Sequence, residues 1–241
     1  MSEPKNAVTD GPASTRDESR AHIVSAAARL LASGGRDAVS TRAVASAAGT
    51  QAPAIYRLFG DKDGLLDAVA EYGWSSYLAD KHARPPVGDP LEVLRAGWDL
   101  HVDFGLANPA LFSLMYGDPR PGRRSPAAIA AFRILQERIE AIAAVGRLKV
   151  PEYLAADLLH AAGCGTVFTL LAIPEDRRDM RLSQLACDAV IAAVTTDVPV
   201  VETGGPAAAA ITLRAALPAA TALTEGERHV LGEWLDRLAR D

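Results

Sequence analysis

The chain has 241 residues, of which 49% are hydrophobic and 5% aromatic, and its formal net charge is −5. This length allows one or two domains with a sizeable core, and the composition favours an all-helical protein. The acidic balance excludes a molecule that binds nucleic acid over its whole surface, so any such binding requires a local basic patch.

The start of the chain and the cysteines bear on compartment and metal content. The first residues are polar and lack the apolar stretch of a signal peptide, and no run of about eighteen apolar residues predicts a membrane span. We therefore expect a cytoplasmic protein. Cys164 and Cys187 lie in predicted apolar helices without a CxxC or Cys/His spacing, which is typical of small packing residues. No metal site and no cofactor are predicted.

The first predicted elements are an arm and a long helix. Residues 1–16 are rich in Pro, Gly, Ser and Thr, which indicates a disordered arm. A helix is predicted over about 17–33, because apolar residues repeat on one face from Ile23 to Leu31. The pair Gly34-Gly35 ends this helix, since glycine accepts the backbone of a helix C-terminus.

Two short helices joined by a tight turn are predicted next, in the stretch TRAVASAAGTQAPAIYRLFGDK (41–62). The first covers about 41–48, and Gly49 stops it because glycine accepts the left-handed backbone. The second covers about 52–59 and tolerates a proline in its first turn, after which Asp61 caps a further helix. This arrangement places a recognition helix in a DNA major groove, although short helix pairs also occur as purely structural corners.

Several residues of this stretch have no predicted core role and carry groups suited to DNA. Hydroxyl, guanidinium, phenol and ammonium groups bind phosphate oxygens, and small residues let the backbone approach base edges. Between Arg36 and Lys62 the basic residues outnumber the acidic ones only slightly, which favours two copies acting together. The predicted DNA-binding residues are Thr41, Arg42, Gln51, Ala52, Pro53, Ala54, Tyr56, Arg57 and Lys62.

The segments IVSAAARLLASGG, VSTRAVASAAG and QAPAIYRLFGDKDGLLDAV resemble the DNA-binding domain of the tetracycline-repressor (TetR) family of transcriptional regulators. The resemblance covers about a quarter of the chain, from Arg20 to Tyr77, and departs from the family pattern at Leu58, where a ring is common. It implies a three-helix helix-turn-helix domain, a connector helix over about 62–82, and a helical ligand-binding and dimerisation domain behind it.

Proline- and glycine-rich breaks set the predicted domain boundaries. The segment ARPPVGDP (83–90) cannot continue a helix, so the DNA-binding domain with its connector is placed at 17–82. The ligand-binding and dimerisation domain follows at 83–200. Extra C-terminal helices are predicted within 201–241, where Thr224 and Glu227 have the spacing of a capping box.

Aromatic and sulfur side chains recur at helical spacing in the second predicted domain. Such a set is typical of a packed core, and the alternative is a cavity in which His101 and Tyr116 orient a small molecule. The resemblance implies an effector pocket between these helices and favours the cavity. The predicted ligand-binding residues are Trp98, His101, Phe104, Phe112, Met115, Tyr116, Phe132 and Phe168.

Two later helices, over about 151–173 and 182–195, are apolar on more than one face and rich in alanine and glycine. One face can pack on the body of the domain, and the other predicts a four-helix contact with a second copy of the chain. A single thick core within one chain is the alternative.

These features predict a homodimeric repressor that binds a palindromic DNA operator and is released by a small hydrophobic ligand. A regulator controlled by a partner protein, without a small-molecule ligand, is the alternative. A helical enzyme would need catalysts such as His101, Tyr116 and His160, and no nucleophile motif, phosphate loop or metal-ligand spacing accompanies them. We therefore predict that the protein is not an enzyme, and no catalytic residue is assigned.

Overall fold

The structure is a computed structural model that describes residues 12–81, 88–118, 124–196 and 205–240. The described residues form helices and connections without a named strand, which confirms the predicted all-α class. The α-helices are α1 (Pro12–Ala38), α2 (Thr41–Ala47), α3 (Ala52–Phe59), α4 (Lys62–Lys81), α5 (Pro90–Ala107), α6 (Pro109–Tyr116), α7 (Pro126–Ala144), α8 (Glu152–Ala172), α9 (Arg181–Val194), α10 (Pro206–Ala216) and α11 (Glu225–Leu238).

The chain folds into two compact units. The first comprises Met1–Ala83 and Ala110–Ala127, and the second comprises Arg84–Pro109 and Ala128–Asp241. The predicted domain boundaries near residues 82 and 200 lie outside the described residues. The first unit includes most of α6, whose residues the sequence analysis places in the second domain.

Helix α6 joins the first unit through α4 and the end of α1. A Cβ atom on Gly73 of α4 would lie only 2.4 Å from Cδ2 of Leu111, so the missing side chain at Gly73 lets α6 pack closely. Arg36 forms ion pairs of 3.6 Å with Asp63, at the start of α4, and of 3.6 Å with Asp118, just after α6. These contacts join residues far apart in sequence, so periodicity alone gives no indication of them.

Helix α1 is longer than predicted at both ends. It begins at Pro12, because proline is tolerated in a first helical turn, and therefore includes residues 12–16 of the predicted disordered arm. Residues 1–11 lie outside the described part of the chain. The predicted end at Gly34-Gly35 is a kink with φ +66 at Gly35, after which the helix continues to Ala38.

The core of the first unit forms where α1 packs on α2 and α4 and where α3 packs on α4. Val44 and Ala45 of α2 are buried in this core, whereas Ala47 is exposed because it lies on the outward side of α2. The fully buried side chains that position the two short helices include Val39, Val44, Ile55, Leu65 and Val69.

The second unit is organised around α8, which packs on α5 and α9. Within the described residues, α8 is the helix whose length and composition alone would allow it to cross a membrane. Its packing explains that composition, since seven of its residues are buried in the unit: Ala155, Ala156, Leu159, Gly163, Thr166, Val167 and Leu170. The buried face of α8 needs apolar side chains, whereas its opposite face is exposed.

The two C-terminal helices pair with each other. Ala210, Leu217 and Leu235 form a small core between α10 and α11. Thr224 caps α11 as predicted: its hydroxyl accepts a hydrogen bond from the Glu227 amide at 3.3 Å, and Glu227 accepts one from the Thr224 amide at 2.8 Å. The pair therefore forms a helical hairpin in the C-terminal part of the second unit.

Candidate nucleic-acid interface

Helix α2 begins with a side-chain cap and ends in a glycine turn. The Ser40 hydroxyl accepts a hydrogen bond from the Ala43 amide at 3.1 Å, so Ser40 supplies the N-cap of α2. Gly49 has φ +59, and the Thr50 amide then donates to the Ala45 carbonyl at 2.9 Å. This turn sets the direction in which α3 starts.

Helix α3 begins with a residue whose side chain does not cap the helix. Gln51 occupies the cap position in extended conformation, and its amide group makes no cap hydrogen bond. Pro53 in the first turn has no N–H that a cap would need to satisfy. The Gln51 amide is exposed, and it can therefore donate and accept hydrogen bonds with a ligand.

The junction between α3 and α4 is tight and depends on two glycines. Gly60 has φ +80, and Asp61 Oδ1 accepts a hydrogen bond from the Gly64 amide at 2.7 Å, which confirms the predicted Asp61 cap. A Cβ atom on Gly64 would lie 2.1 Å from the carbonyl oxygen of Phe59. The end of the predicted recognition helix therefore lies directly against the first turn of α4.

Gly64→Ala is expected to lower the free energy of unfolding by about 1–3 kcal/mol, because the added methyl group meets backbone rather than a movable side chain. The matched control is Gly226→Ala in α11, where an added Cβ meets nothing within 4 Å. Urea unfolding followed by circular dichroism measures both. If Gly64→Ala is as stable as the wild type, the backbone of this junction can shift to accommodate the methyl group without loss of stability.

The nine predicted DNA-binding residues all lie on α2, on α3 or at their adjoining ends. Ile55 is fully buried and anchors α3, whereas the Tyr56 side chain is 52% exposed. Arg42, Gln51, Pro53, Arg57 and Lys62 are also exposed. The remaining three residues are half-buried, although the sequence analysis gave them no core role: Thr41, Ala52 and Ala54.

The cations of this surface differ in their partners. Arg42, Arg57 and Lys62 form no ion pair with any residue in the described ranges, so their charges are available to an external anion. Arg36, which the sequence analysis counted in the same patch, is instead paired with Asp63 and Asp118. The free positive charge therefore belongs to α2, α3 and the first residue of α4.

One exposed polar residue of this surface was missed by the sequence analysis. Ser46 lies four residues after Arg42 on α2, and both side chains are exposed. Residues four apart share one face of a helix, so the spacing could have indicated it.

The predicted ligand-binding residues are divided between the two units. Phe112, Met115 and Tyr116 belong to the first unit, and the rings of Phe112 and Tyr116 lie 4.8 Å apart. The other five belong to the second unit: Trp98, His101, Phe104, Phe132 and Phe168. No group of three or more His, Cys, Asp or Glu residues in the described ranges is placed to hold a metal ion.

Within the second unit, Trp98 and His101 carry polar ring atoms that are buried in different surroundings. Trp98 Nε1 donates a hydrogen bond to Ser183 Oγ at 2.9 Å. The Nε2 atom of His101 is buried, and burial together with the nearby His160 lowers the pKa of His101 from 6.5 to about 4. Its imidazole is therefore neutral at pH 7. The Phe132 ring meets the His160 ring edge-on, with centroids 5.4 Å apart.

Residues 23–69 match the family model described as bacterial regulatory proteins, tetR family. The matched segment contains α2, α3 and the start of α4, and it is the part of the chain that is similar to this family. Curated HTH-type transcriptional regulators of Mycobacterium bovis and Mycobacterium tuberculosis are 32% identical to it over 142 residues, which cover 54% of this chain. The matched part spans 58% of the length of these relatives.

Solved structures have an all-helical fold similar to that of this chain. A Rhodococcus sp. RHA1 protein of unknown function is 24% identical, covers 80% of this chain and 100% of its own, and has a TM-score of 0.58. RolR, solved in complex with resorcinol, is 20% identical, covers 88% of this chain and 98% of its own, and has a TM-score of 0.59. At these identities the likeness concerns the fold alone.

Proposed function

We propose that the protein is a cytoplasmic transcriptional regulator, a homodimeric repressor that binds a palindromic DNA operator through α2 and α3. The observation that carries this proposal is the set of three exposed cations, Arg42, Arg57 and Lys62, without ion-pair partners among the described residues. They lie in the segment that matches the tetR-family model, as do the small residues 52–54 at the start of α3.

The side chains of this surface divide into two roles. Thr41, Arg42, Tyr56, Arg57 and Lys62 hold backbone phosphates, which position the protein on the duplex. Gln51 and the small residues 52–54 meet base edges, where an amide can pair with adenine. Two-fold symmetry places the two α3 helices on half-sites separated by one helical turn or more.

An exposed apolar face on α8 and α9 supports the homodimer. On α8 the exposed residues Leu154, Leu158, Ala161 and Gly165 follow one another at steps of three and four. On α9, which packs against α8, the exposed residues Leu182, Leu185, Ala189 and Ala192 do the same. Leu185 is 68% exposed. A contiguous apolar face of this kind is typical of a helical interface, and a second copy of the chain covers it.

A small hydrophobic effector that releases the operator completes the proposal. Aromatic side chains of α5 and α7 and the neutral imidazole of His101 offer apolar surface and one hydrogen-bonding ring. The related fold of RolR binds resorcinol in its own structure.

The proposal is tested by fluorescence anisotropy of the purified protein with duplexes from its own upstream region at several salt concentrations. We expect tight, sequence-dependent binding, two chains per site and a steep loss of affinity with salt. A genome-wide fragment selection then tests whether an operator lies elsewhere. Weak and equal binding to every fragment would reject the regulator.

Arg57→Ala is expected to weaken operator binding, because an exposed cation of α3 loses its contact with DNA. If the affinity falls equally for all duplexes and the salt dependence becomes shallower by about one contact per chain, Arg57 holds a phosphate. A loss of about 1–3 kcal/mol for one base position alone would instead show that it reads a base. Unchanged affinity for every duplex would remove Arg57 from the interface.

A further inference from the structure

Arg20 occupies an unexpected position on α1. It precedes Ile23, Val24 and Ala27 by three, four and seven residues, and these three side chains are buried. Residues at these spacings share one face of a helix, so Arg20 lies one turn before the buried part of that face. Arg20 itself is exposed, so its guanidinium remains charged in water and can contact a partner.

The partner is the aromatic ring of Phe59, the last residue of α3. The guanidinium carbon of Arg20 lies 5.4 Å from the centroid of that ring. This distance is within the range of about 6 Å over which a ring attracts a cation. Within the described ranges no carboxylate pairs with Arg20, and the residue is exposed. The ring therefore orients the guanidinium and leaves its charge uncompensated.

Phe59 places this charge beside the candidate DNA-binding surface. At 100° per residue, Phe59 lies about 60° around α3 from Tyr56. Tyr56 is one of the exposed residues of that surface. The chain then turns at Gly60 and Asp61 and reaches Lys62, another exposed cation, within three residues of Phe59. Arg20 is thus a fourth cation at the end of α3 that leads into α4.

We propose that Arg20 is a further DNA-binding residue, held by the Phe59 ring so that its guanidinium contacts a phosphate of the operator backbone. This inference rests on the proposed function. A phosphate is the partner rather than a base, because Arg20 comes from α1 and not from the helix that enters the groove. Arginine suits this role, since its planar guanidinium can stack on a ring while it donates hydrogen bonds to phosphate oxygens.

The test measures the salt dependence of operator binding by Arg20→Gln, on a duplex obtained by genomic fragment selection. Each phosphate contact adds about 0.9 to the slope of log affinity against log salt concentration, so a dimer that loses two contacts should have a slope shallower by about 1.8. Relative affinities for different duplexes should not change, because the contact carries no sequence information. A purely structural role of Arg20 would lower stability and leave the slope unchanged.

Arg29→Gln is the matched control. Arg29 is an exposed arginine of the same helix, nine residues later, which places it about 180° around α1 from Arg20. Its guanidinium donates to Ser25 Oγ at 3.0 Å, and its loss should leave the slope as in wild type. If Arg20→Gln lowers the helix content, Arg20→Met keeps the aliphatic stem over Phe59 and replaces it in the measurement.

Each outcome decides the matter. A shallower slope for Arg20→Gln alone supports the phosphate contact. An unchanged slope, or an equal change for Arg29→Gln, overturns it while operator binding by the wild type stands. If the wild type shows no salt-dependent operator binding, the proposed function fails and this inference fails with it.

Discussion

Leu185→Glu is expected to convert the protein into a monomer and to lower its operator affinity by about 10²–10⁴-fold. Leu185 is 68% exposed on α9, in the middle of the apolar face that α8 and α9 share. A carboxylate there would be buried without a partner in the dimer, which costs far more than leaving it in water. Each chain alone carries a small positive patch, so loss of the second copy removes the benefit of two linked half-sites.

Light scattering after gel filtration measures the mass of this variant, and anisotropy measures its operator affinity. The matched control is Leu213→Glu in α10, which changes an exposed leucine, 49% exposed, outside the face of α8 and α9. We expect it to remain dimeric. A dimeric Leu185→Glu variant, or a monomeric Leu213→Glu variant, would place the interface elsewhere on the second unit.

Acidification is expected to destabilise the fold through His101. Burial, together with the nearby His160, lowers the pKa of His101 to about 4, whereas the unfolded chain binds the proton near 6.5. The unfolded state therefore binds more protons between these two pH values, and stability falls as pH falls through this window. At 1.36 kcal/mol per pKa unit the full loss is about 3 kcal/mol, of which about 2 kcal/mol is reached by pH 5.

Urea unfolding of the wild type and of His101→Gln, at about pH 7.5 and about pH 5, isolates this contribution. Carboxylates titrate in both proteins, so the difference between them reports on the histidine. We expect the variant to lose about 2 kcal/mol less than the wild type on acidification. His229→Gln changes an exposed histidine of α11 and should behave as the wild type does. An equal acid response of His101→Gln and wild type would contradict the neutral, buried state of His101.

The parts of the fold that follow local rules could be predicted from the sequence. The all-α class, the short helices around Gly49, the Asp61 cap and the Thr224 capping box depend on residues within one or two turns of each other. The helix-turn-helix could also be predicted, because its glycine turn and its buried Ile55 depend on the local sequence.

The parts that depend on distant contacts could not be predicted in this way. The place of α6 in the first unit depends on Leu111 fitting against Gly73 and on the pair of Arg36 with Asp118. The ring beneath Arg20 belongs to a residue 39 positions later in the chain. The ligand-binding set remains a prediction, because helical spacing does not tell a core aromatic residue from one that lines a cavity.

The membership of α6 in the first unit has a practical consequence for the design of chimeric proteins. A chimera that joins residues 1–83 of this chain to the second domain of a similar protein would separate Gly73 from Leu111 and Arg36 from Asp118. The transferred part of the first unit would then lack α6 and would have to pack against the corresponding segment of the other protein. To preserve the packing of the first unit, a chimera must take two separate segments from this chain, residues 1–83 and residues 110–127.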